Sequence, residues 1–239
     1  MGRRRENHHL PPFEHSGILL VDKPKTWTSH DVVNFVRRRF NVKKVGHCGT
    51  LDPAATGLLV LLLGKATKSS QTLSRSDKAY AGTMLFGVET DSQDMDGEVT
   101  AEKDASFVTE EMVEKAFADF TGEIEQIPPM VSAVKKNGKK LYELARKGET
   151  VEREPRKITI HRFEATKFHL PKVDFDVECS KGAYIRTLAA DIGGKLGCGG
   201  VLFSLARTAS GEFKLENARS VEDIRDWTQD DLLQALVAF

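Results

Sequence analysis

Residues 46–64, GHCGTLDPAATGLLVLLLG, contain one acidic residue, Asp52, in a glycine-rich loop. The loop precedes the longest apolar run of the chain, residues 58–63, which predicts a buried strand. An Asp-Pro pair commonly opens a turn, so Asp52 could serve only the turn. The glycines also permit the close approach of a ligand, and a carboxylate beside a core suits a nucleophile or a base. We therefore take Asp52 as a candidate catalytic residue.

The segments around this loop alternate irregularly between strand and helix patterns. Residues 29–40 have one apolar helical stripe, with Ser29 as the expected N-cap. Further strands are expected at 17–24, 78–90, 156–169, 173–180 and 201–213, and further helices at 109–122, 139–148 and 183–197. Because hairpin-like pairs recur, we expect an α+β fold with a mixed sheet and not a doubly wound parallel one.

Composition excludes several classes of protein. The chain has 239 residues, 40% hydrophobic and 29% charged, as in an ordinary globular protein. No apolar run reaches the 18 residues that a membrane helix needs, and the basic N-terminus lacks the apolar core of a secretory signal. The three cysteines are odd in number and far apart, which argues against a disulfide framework. We expect a protein of the reducing cytoplasm.

The formal net charge is zero, but the charges are segregated along the chain. Residues 1–47 contain ten Lys or Arg against four Asp or Glu, and residues 132–157 contain nine against four. Residues 89–125 contain two against thirteen. A basic surface that attracts a polyanion such as RNA is therefore compatible with a neutral protein, although solvated helix faces would give the same pattern.

Three other residues are candidates for a site. Tyr184 and Arg186 follow Gly182 at a strand-to-helix junction, where Arg186 is either a surface residue or the cation that would keep Asp52 ionised. Tyr80 is either a core residue or a surface on which a base stacks.

The acidic turn at residues 91–99 partly resembles a calcium loop. Ser92 occupies the first ligand position, and Lys103 occupies the twelfth, where a glutamate is required. We therefore predict no metal site.

Six stretches together resemble one known family, the TruB-type tRNA pseudouridine synthases. They are GILLVDKPKTWTSHDVV (17–33), VGHCGTLDPAATGLLVLLLGKATK (45–68), DKAYAGTMLFGVETDSQDMDGEV (77–99), GEIEQIPPMVSAVKKNGKKLYELARKGETVEREPRKITI (122–160), CSKGAYIRTLAADIGGKLGCGG (179–200) and LARTASGEF (205–213). The resemblance implies a pseudouridine synthase fold, a largely antiparallel mixed sheet flanked by helices. It also implies the isomerisation of uridine 55 in the TΨC loop of tRNA, without cofactor or metal.

The resemblance implies a role for each matching residue. Asp52 matches the nucleophile, which attacks C6 of the base, attacks C1′ of the ribose, or works through a glycal-like intermediate. Tyr80 matches the tyrosine that stacks on the flipped uracil, and Arg186 matches the arginine that pairs with the catalytic carboxylate. The implied substrate-binding residues are His47, which fills the vacated stack, Tyr184, Leu205 as an apolar wall, Lys23 of a buried pair with Pro24, and Lys135 in the segment that grips the T arm.

For the organisation of the chain, we expect a flexible arm at residues 1–15 and one catalytic domain at 16–239, without the C-terminal RNA-binding (PUA) domain of many relatives. We expect a monomer that binds tRNA and no membrane. One alternative function is a tRNA-binding or tRNA-folding chaperone with little catalysis. Another is a synthase for a different RNA, like the guide-RNA relatives in archaea and eukaryotes.

Overall fold

The computed structural model describes residues 10–132, 135–136, 138–141, 144, 148–149 and 151–239. They form two compact units, one comprising the chain up to Ser74 together with Phe213–Phe239, and the other Arg75–Glu212. Most of the expected arm at 1–15 and of the expected helix at 139–148 lies outside the described residues.

Strands and helices interleave along the chain. The strands are β1 (Gly17–Lys23), β2 (Val45–Cys48), β3 (Thr56–Leu63), β4 (Lys78–Phe86), β5 (Val88–Thr90), β6 (Val99–Glu102), β7 (Gly122–Gln126), β8 (Lys135–Lys136), β9 (Lys139–Lys140), β10 (Arg156–His169), β11 (Lys172–Cys179), β12 (Gly200–Ser210), β13 (Phe213–Lys214) and β14 (Arg219–Ser220). The helices are α1 (Ser29–Arg39), α2 (Ser70–Leu73), α3 (Glu110–Asp119), α4 (Ile185–Leu196), α5 (Val221–Asp226) and α6 (Gln229–Ala235), with 3₁₀ turns at Gly64–Ser69 and Leu215–Asn217.

The first unit is built on β3, whose apolar run is completely buried, as expected. β1 pairs antiparallel with β3, and β14 pairs parallel with β1. β2 pairs antiparallel with β3, from Val45 opposite Leu63 to Cys48 opposite Val60. The expectation of a loop from residue 46 was therefore wrong for residues 46–48. The ladder satisfies their backbone groups, and this pairing outweighs the loop-like composition.

The N-cap of α1 lies one residue before the expected one. The N-cap is Thr28 and not Ser29, because Thr28 forms a capping box with Asp31. The Thr28 hydroxyl accepts a hydrogen bond from the Asp31 N–H at 3.0 Å, and the Asp31 carboxylate accepts one from the Thr28 N–H at 2.8 Å. Ser29 consequently becomes the first helical residue and is buried. Two more capping boxes start α5 and α6.

The capping box of α6 predicts a pH dependence of stability. The Thr228 hydroxyl and N–H donate to the Asp231 carboxylate at 2.7 and 2.8 Å, which lowers the pKa of Asp231 below its ordinary value. A lowered pKa in the folded state stabilises the protein above the unfolded pKa of 3.8, and this stabilisation is lost as the pH falls through the folded value. Asp231→Ala should lower the melting temperature by about 1–3 °C at pH 7.

Denaturation of Asp231→Ala and the wild type between pH 7 and pH 3 checks this prediction, and the difference should shrink toward pH 3. Asp230→Ala is the matched control, because Asp230 lies in the same first turn and does not form the capping box. If both variants lost the same amount of stability, the effect would come from the interaction of a negative charge with the helix dipole and not from the hydrogen bonds of the capping box.

The second unit is an antiparallel sheet in the order β12-β4-β11-β10-β7. Helices α3 and α4 and the sheet enclose one apolar cluster, in which the rings of Phe117 and Phe163 stack with their centroids 3.8 Å apart. With the parallel β14–β1 pair of the first unit, the sheet pairing is mixed and largely antiparallel. The expected α+β class is confirmed. Within the described part of the chain, no helix has both the length and the apolarity to span a membrane.

Candidate active site

Asp52 lies in the short connection between β2 and β3, where it is half-buried. The connection begins at Gly49, whose φ of 82° is unfavourable for other residues. The turn is closed by the backbone, because the Ala55 N–H donates to the Asp52 carbonyl at 3.1 Å. The turn therefore has a hydrogen bond that does not involve the Asp52 carboxylate.

Two buried side chains hold the residues on either side of Asp52. The Ser29 hydroxyl accepts a hydrogen bond from the Leu51 N–H at 2.8 Å and lies 3.1 Å from the Leu51 carbonyl. The Lys23 ammonium donates to the carbonyls of Trp27 at 2.6 Å, Pro24 at 2.9 Å and Pro53 at 3.3 Å. Asp52 thus stands between two anchored neighbours.

Lys23 is completely buried, and each of these acceptors belongs to the backbone. Burying an ammonium group is costly unless it is hydrogen-bonded, and the carbonyls offset that cost. Lys23 is therefore held beside the half-buried Pro24, and its expected role in substrate binding stays a prediction.

His47 lies on β2, two strand positions after Val45, and pairs with Leu61 of β3. It is half-buried and precedes Cys48, which is part of the apolar cluster of the first unit. His47 and Asp52 therefore belong to the same unit, five residues apart on a strand and the connection that follows it.

Tyr80 and Leu205 lie on neighbouring strands of the second unit. Tyr80 on β4 pairs with Val177 of β11 and Arg207 of β12, while Leu205 on β12 pairs with Gly82 of β4. Both side chains are partly buried against the same apolar cluster. The sheet thus brings to one face an aromatic ring and an apolar side chain that are far apart in sequence.

Tyr184 is the N-cap of α4 and has no side-chain hydrogen bond of the usual capping kind. Instead, Gln126 of β7 binds its backbone twice. The Tyr184 N–H donates to Gln126 Oε1 at 2.8 Å, and Gln126 Nε2 donates to the Tyr184 carbonyl at 3.1 Å. Gln126 is only 2% exposed, so water cannot easily replace it. No local sequence pattern points to Gln126, because 58 positions separate it from Tyr184.

Gln126→Met keeps the approximate volume of the side chain and removes both hydrogen bonds. We expect the free energy of unfolding to fall by about 1–3 kcal/mol, because the Tyr184 N–H loses its partner, while the Tyr184 carbonyl still accepts from the Leu188 N–H. Urea denaturation measures this loss.

Gln229→Met is the matched control, since Gln229 Nε2 also donates to two carbonyls, of Pro11 and Phe40, in a less buried position. We expect the Gln229 variant to lose clearly less stability. An equal loss in both variants would contradict the importance of burial at Gln126.

Arg186, in the first turn of α4, is 5% exposed and points into the acidic turn that follows β5. Its guanidinium donates to the Ser92 carbonyl at 2.8 Å and to the Val131 carbonyl at 2.9 Å. Its Nε also lies 3.4 Å from Asp94 Oδ2. Arg186 is therefore a buried cation, and the possibility of a surface arginine is excluded.

The acidic turn itself is shaped around Asp94. The carboxylate oxygen Oδ1 of Asp94 accepts hydrogen bonds from the Ser92 hydroxyl at 2.5 Å and from the Asp96 N–H at 3.1 Å. The backbone carbonyl of Asp94 accepts one from the Thr90 hydroxyl at 2.7 Å. The segment that resembles a calcium loop thus provides acceptors for an arginine. Among the residues that the structure describes, no group of three or more His, Cys, Asp or Glu is arranged to hold a metal ion.

Lys135 lies on β8, where its backbone pairs with Lys140 of β9. Its side chain is outside the described part of the structure, so its role stays a prediction.

Two family models together match residues 37–238 of the chain. The model of the TruB family pseudouridylate synthase N-terminal domain matches residues 37–185, which is more than half of the chain. The chain belongs to the TruB family. The model of the tRNA pseudouridylate synthase B C-terminal domain matches residues 186–238. Asp52 and Tyr80 fall in the N-terminal match, and Arg186 and Leu205 fall in the C-terminal one.

Bacterial relatives match along most of the chain. A protein from Opitutus terrae named tRNA pseudouridine synthase B is 52% identical over 214 residues, which cover 90% of this chain and 89% of the relative. One of the same name from Alkaliphilus oremlandii is 50% identical over 210 residues, which cover 88% of this chain and 70% of the relative. These relatives confirm the resemblance to the TruB family.

Solved structures share the fold. In a Cbf5–Nop10–Gar1 complex, the matching chain gives a TM-score of 0.71 at 31% identity, over 90% of this chain and 55% of that one. In an H/ACA RNP bound to a substrate RNA containing 2′-deoxyuridine, the values are 0.68 and 27%, over 92% of this chain and 56% of that one. The present chain thus spans little more than half the length of these two proteins. The expected pseudouridine synthase fold is confirmed.

Proposed function

We propose that the protein is a tRNA pseudouridine synthase that isomerises uridine 55 in the T loop, with Asp52 as the nucleophile. Membership of the TruB family and the relatives named tRNA pseudouridine synthase B support the reaction and the substrate class. The observation that carries the assignment of Asp52 is its setting, a half-buried carboxylate whose two neighbours are each held by a buried side chain.

The reaction rearranges bonds within one nucleotide. The C1′–N1 bond of uridine breaks, the base turns, and a new bond joins C1′ to C5. The proton on C5 leaves and N1 gains a proton, so that nothing is oxidised or reduced. The reaction therefore needs a nucleophile, a pocket for the base and a route for one proton, all of which protein side chains can supply.

We propose that the other residues bind and hold the flipped nucleotide. Extracting a base from a folded loop costs a few kcal/mol of stacking, which stacking on Tyr80 and insertion of His47 would offset. Leu205 and Tyr184 would line the base pocket, and Arg186 would supply positive charge for Asp52. The segment containing Lys135 would contact T-arm phosphates.

We also propose that the protein is a monomer and that it acts in the cytoplasm. The three cysteines, which are buried thiols, support a reducing compartment.

Tritium release from a tRNA transcript labelled at C5 of uridine tests the function. The wild-type protein should release one equivalent of tritium from each transcript that it modifies. The matched control is a transcript with cytidine at position 55, from which no tritium should be released. Release from both transcripts would show that position 55 is not the modified nucleotide. Tight tRNA binding without tritium release would show that the protein binds or folds tRNA and is not an enzyme.

A further inference from the structure

We propose that Ser29 is a positioning residue for catalysis, which holds the backbone next to Asp52 in the arrangement that the reaction needs. The inference rests on the proposed function, because it takes Asp52 as the nucleophile. Ser29 does not need to touch the substrate in order to act in this way.

The sequence around Ser29 explains why its hydroxyl faces the Asp52 loop. The capping box of Thr28 and Asp31 sets the start of α1, which makes Ser29 the first helical residue. At this position the N–H of a helix has no intrahelical partner, and the side chain is not needed for the cap. The Ser29 side chain is 2% exposed and reaches Leu51, which is 22 residues away.

The contact uses both hydrogen-bonding functions of the hydroxyl. The oxygen accepts from the Leu51 N–H at 2.8 Å, and the O–H donates to the Leu51 carbonyl at 3.1 Å. Binding both backbone groups of one residue restricts rotation on both sides of it. The Leu51 carbonyl belongs to the planar peptide bond between Leu51 and Asp52. This contact therefore fixes the orientation of the peptide plane from which the Asp52 side chain projects.

The composition of the loop makes such an anchor necessary. Gly49 begins the connection with a φ of 82°, and Gly57, the second residue of β3, has a φ of 93°. Glycine leaves the backbone more freedom than any other residue. Leu51 is 4% exposed, so solvent cannot easily supply the lost hydrogen bonds. Without the Ser29 hydroxyl, we expect Asp52 to sample more than one position while the structure around it stays folded.

Ser29→Ala removes both hydrogen bonds and leaves a similar volume. We expect the single-turnover rate of tritium release, measured with saturating protein well below the melting temperature, to fall about 10- to 100-fold, because a displacement of about 1 Å has effects of that size. The dissociation constant for tRNA should stay within about 2-fold of the wild-type value. Ser29→Cys, which keeps a weaker donor and acceptor in a similar shape, should give an intermediate rate.

Ser220→Ala is the matched control. The Ser220 hydroxyl also accepts from a backbone N–H, that of Asp223 at 3.0 Å, and donates to an oxygen, of the Asp223 carboxylate at 2.7 Å, in the same unit. We expect this variant to lower the melting temperature and to keep the wild-type rate.

The outcomes separate this inference from the proposed function. A wild-type rate in Ser29→Ala, a loss explained entirely by weaker tRNA binding, or an equal loss of rate in Ser220→Ala would overturn the role of Ser29 alone. If Ser29→Ala does not fold, a wild-type rate in Ser29→Cys would overturn it. A wild-type protein that releases no tritium would overturn the proposed function, and this inference with it.

Discussion

Asp52→Asn should abolish tritium release from tRNA and leave tRNA binding intact. The amide has the same shape as the carboxylate, and the backbone hydrogen bond that closes the turn does not depend on it. The amide cannot act as an anionic nucleophile, so we expect the rate to fall by at least about 10⁴-fold, as when other enzymes lose a nucleophile. Single-turnover tritium release and filter binding measure the two properties on the same preparation.

Asp226→Asn is the matched control for the loss of one negative charge. Asp226 is the exposed last residue of α5 and lies in the same unit as Asp52. It should keep the wild-type rate, and Asp52→Ala should be as inactive as Asp52→Asn. More than about 1% residual activity in both Asp52 variants would show that another group is the nucleophile.

The second large effect is the loss of stability that we expect from Gly193→Ala, at the contact between α4 and the start of β12. An added Cβ on Gly193 would overlap with the backbone of Gly199 and Gly200, whose atoms cannot move aside as a flexible side chain could. Gly193→Ala should therefore lower the free energy of unfolding by at least about 3 kcal/mol. Because α4 also carries Arg186 in its first turn, we expect activity to fall as well.

The neighbouring glycine provides the matched control. Gly194 is in the same helix, and an added Cβ there would meet nothing within 4 Å. Gly194→Ala should raise the free energy of unfolding by up to about 1 kcal/mol, because alanine favours a helix more than glycine does. Urea denaturation of both variants tests this pair, and a similar change in both would show that helix propensity, and not close packing, decides the effect.

Much of the fold could be predicted from the sequence where a local pattern determines it. The apolar run of residues 58–63 forms the buried strand β3, and the helix expected at residues 183–197 is α4. The N-cap of α1 was misplaced by one residue, although the capping-box spacing of Thr28 and Asp31 is present in the sequence. The strand character of residues 45–48 could not be predicted, because it arises from pairing with β3.

The candidate residues could be named from the family resemblance, but their supports could not. Gln126 binds Tyr184 across 58 positions, and the Asp94 turn binds Arg186 across more than 90. No local pattern relates these residues, because the pairs meet only after the sheet and α4 have assembled. Ser29 appeared in the sequence as a cap, and only the position of Leu51 shows that its hydroxyl has another partner.

The burial of the three cysteines has a practical consequence for labelling the protein with fluorescent dyes. Cys48, Cys179 and Cys198 are buried thiols, and burial raises the pKa of the Cys179 thiol to about 12 and also raises that of Cys198. Thiolates react with maleimides and thiols do not, so the folded protein should resist such dyes. A fluorophore attached to one engineered surface cysteine should then report on tRNA capture without any change to the native cysteines.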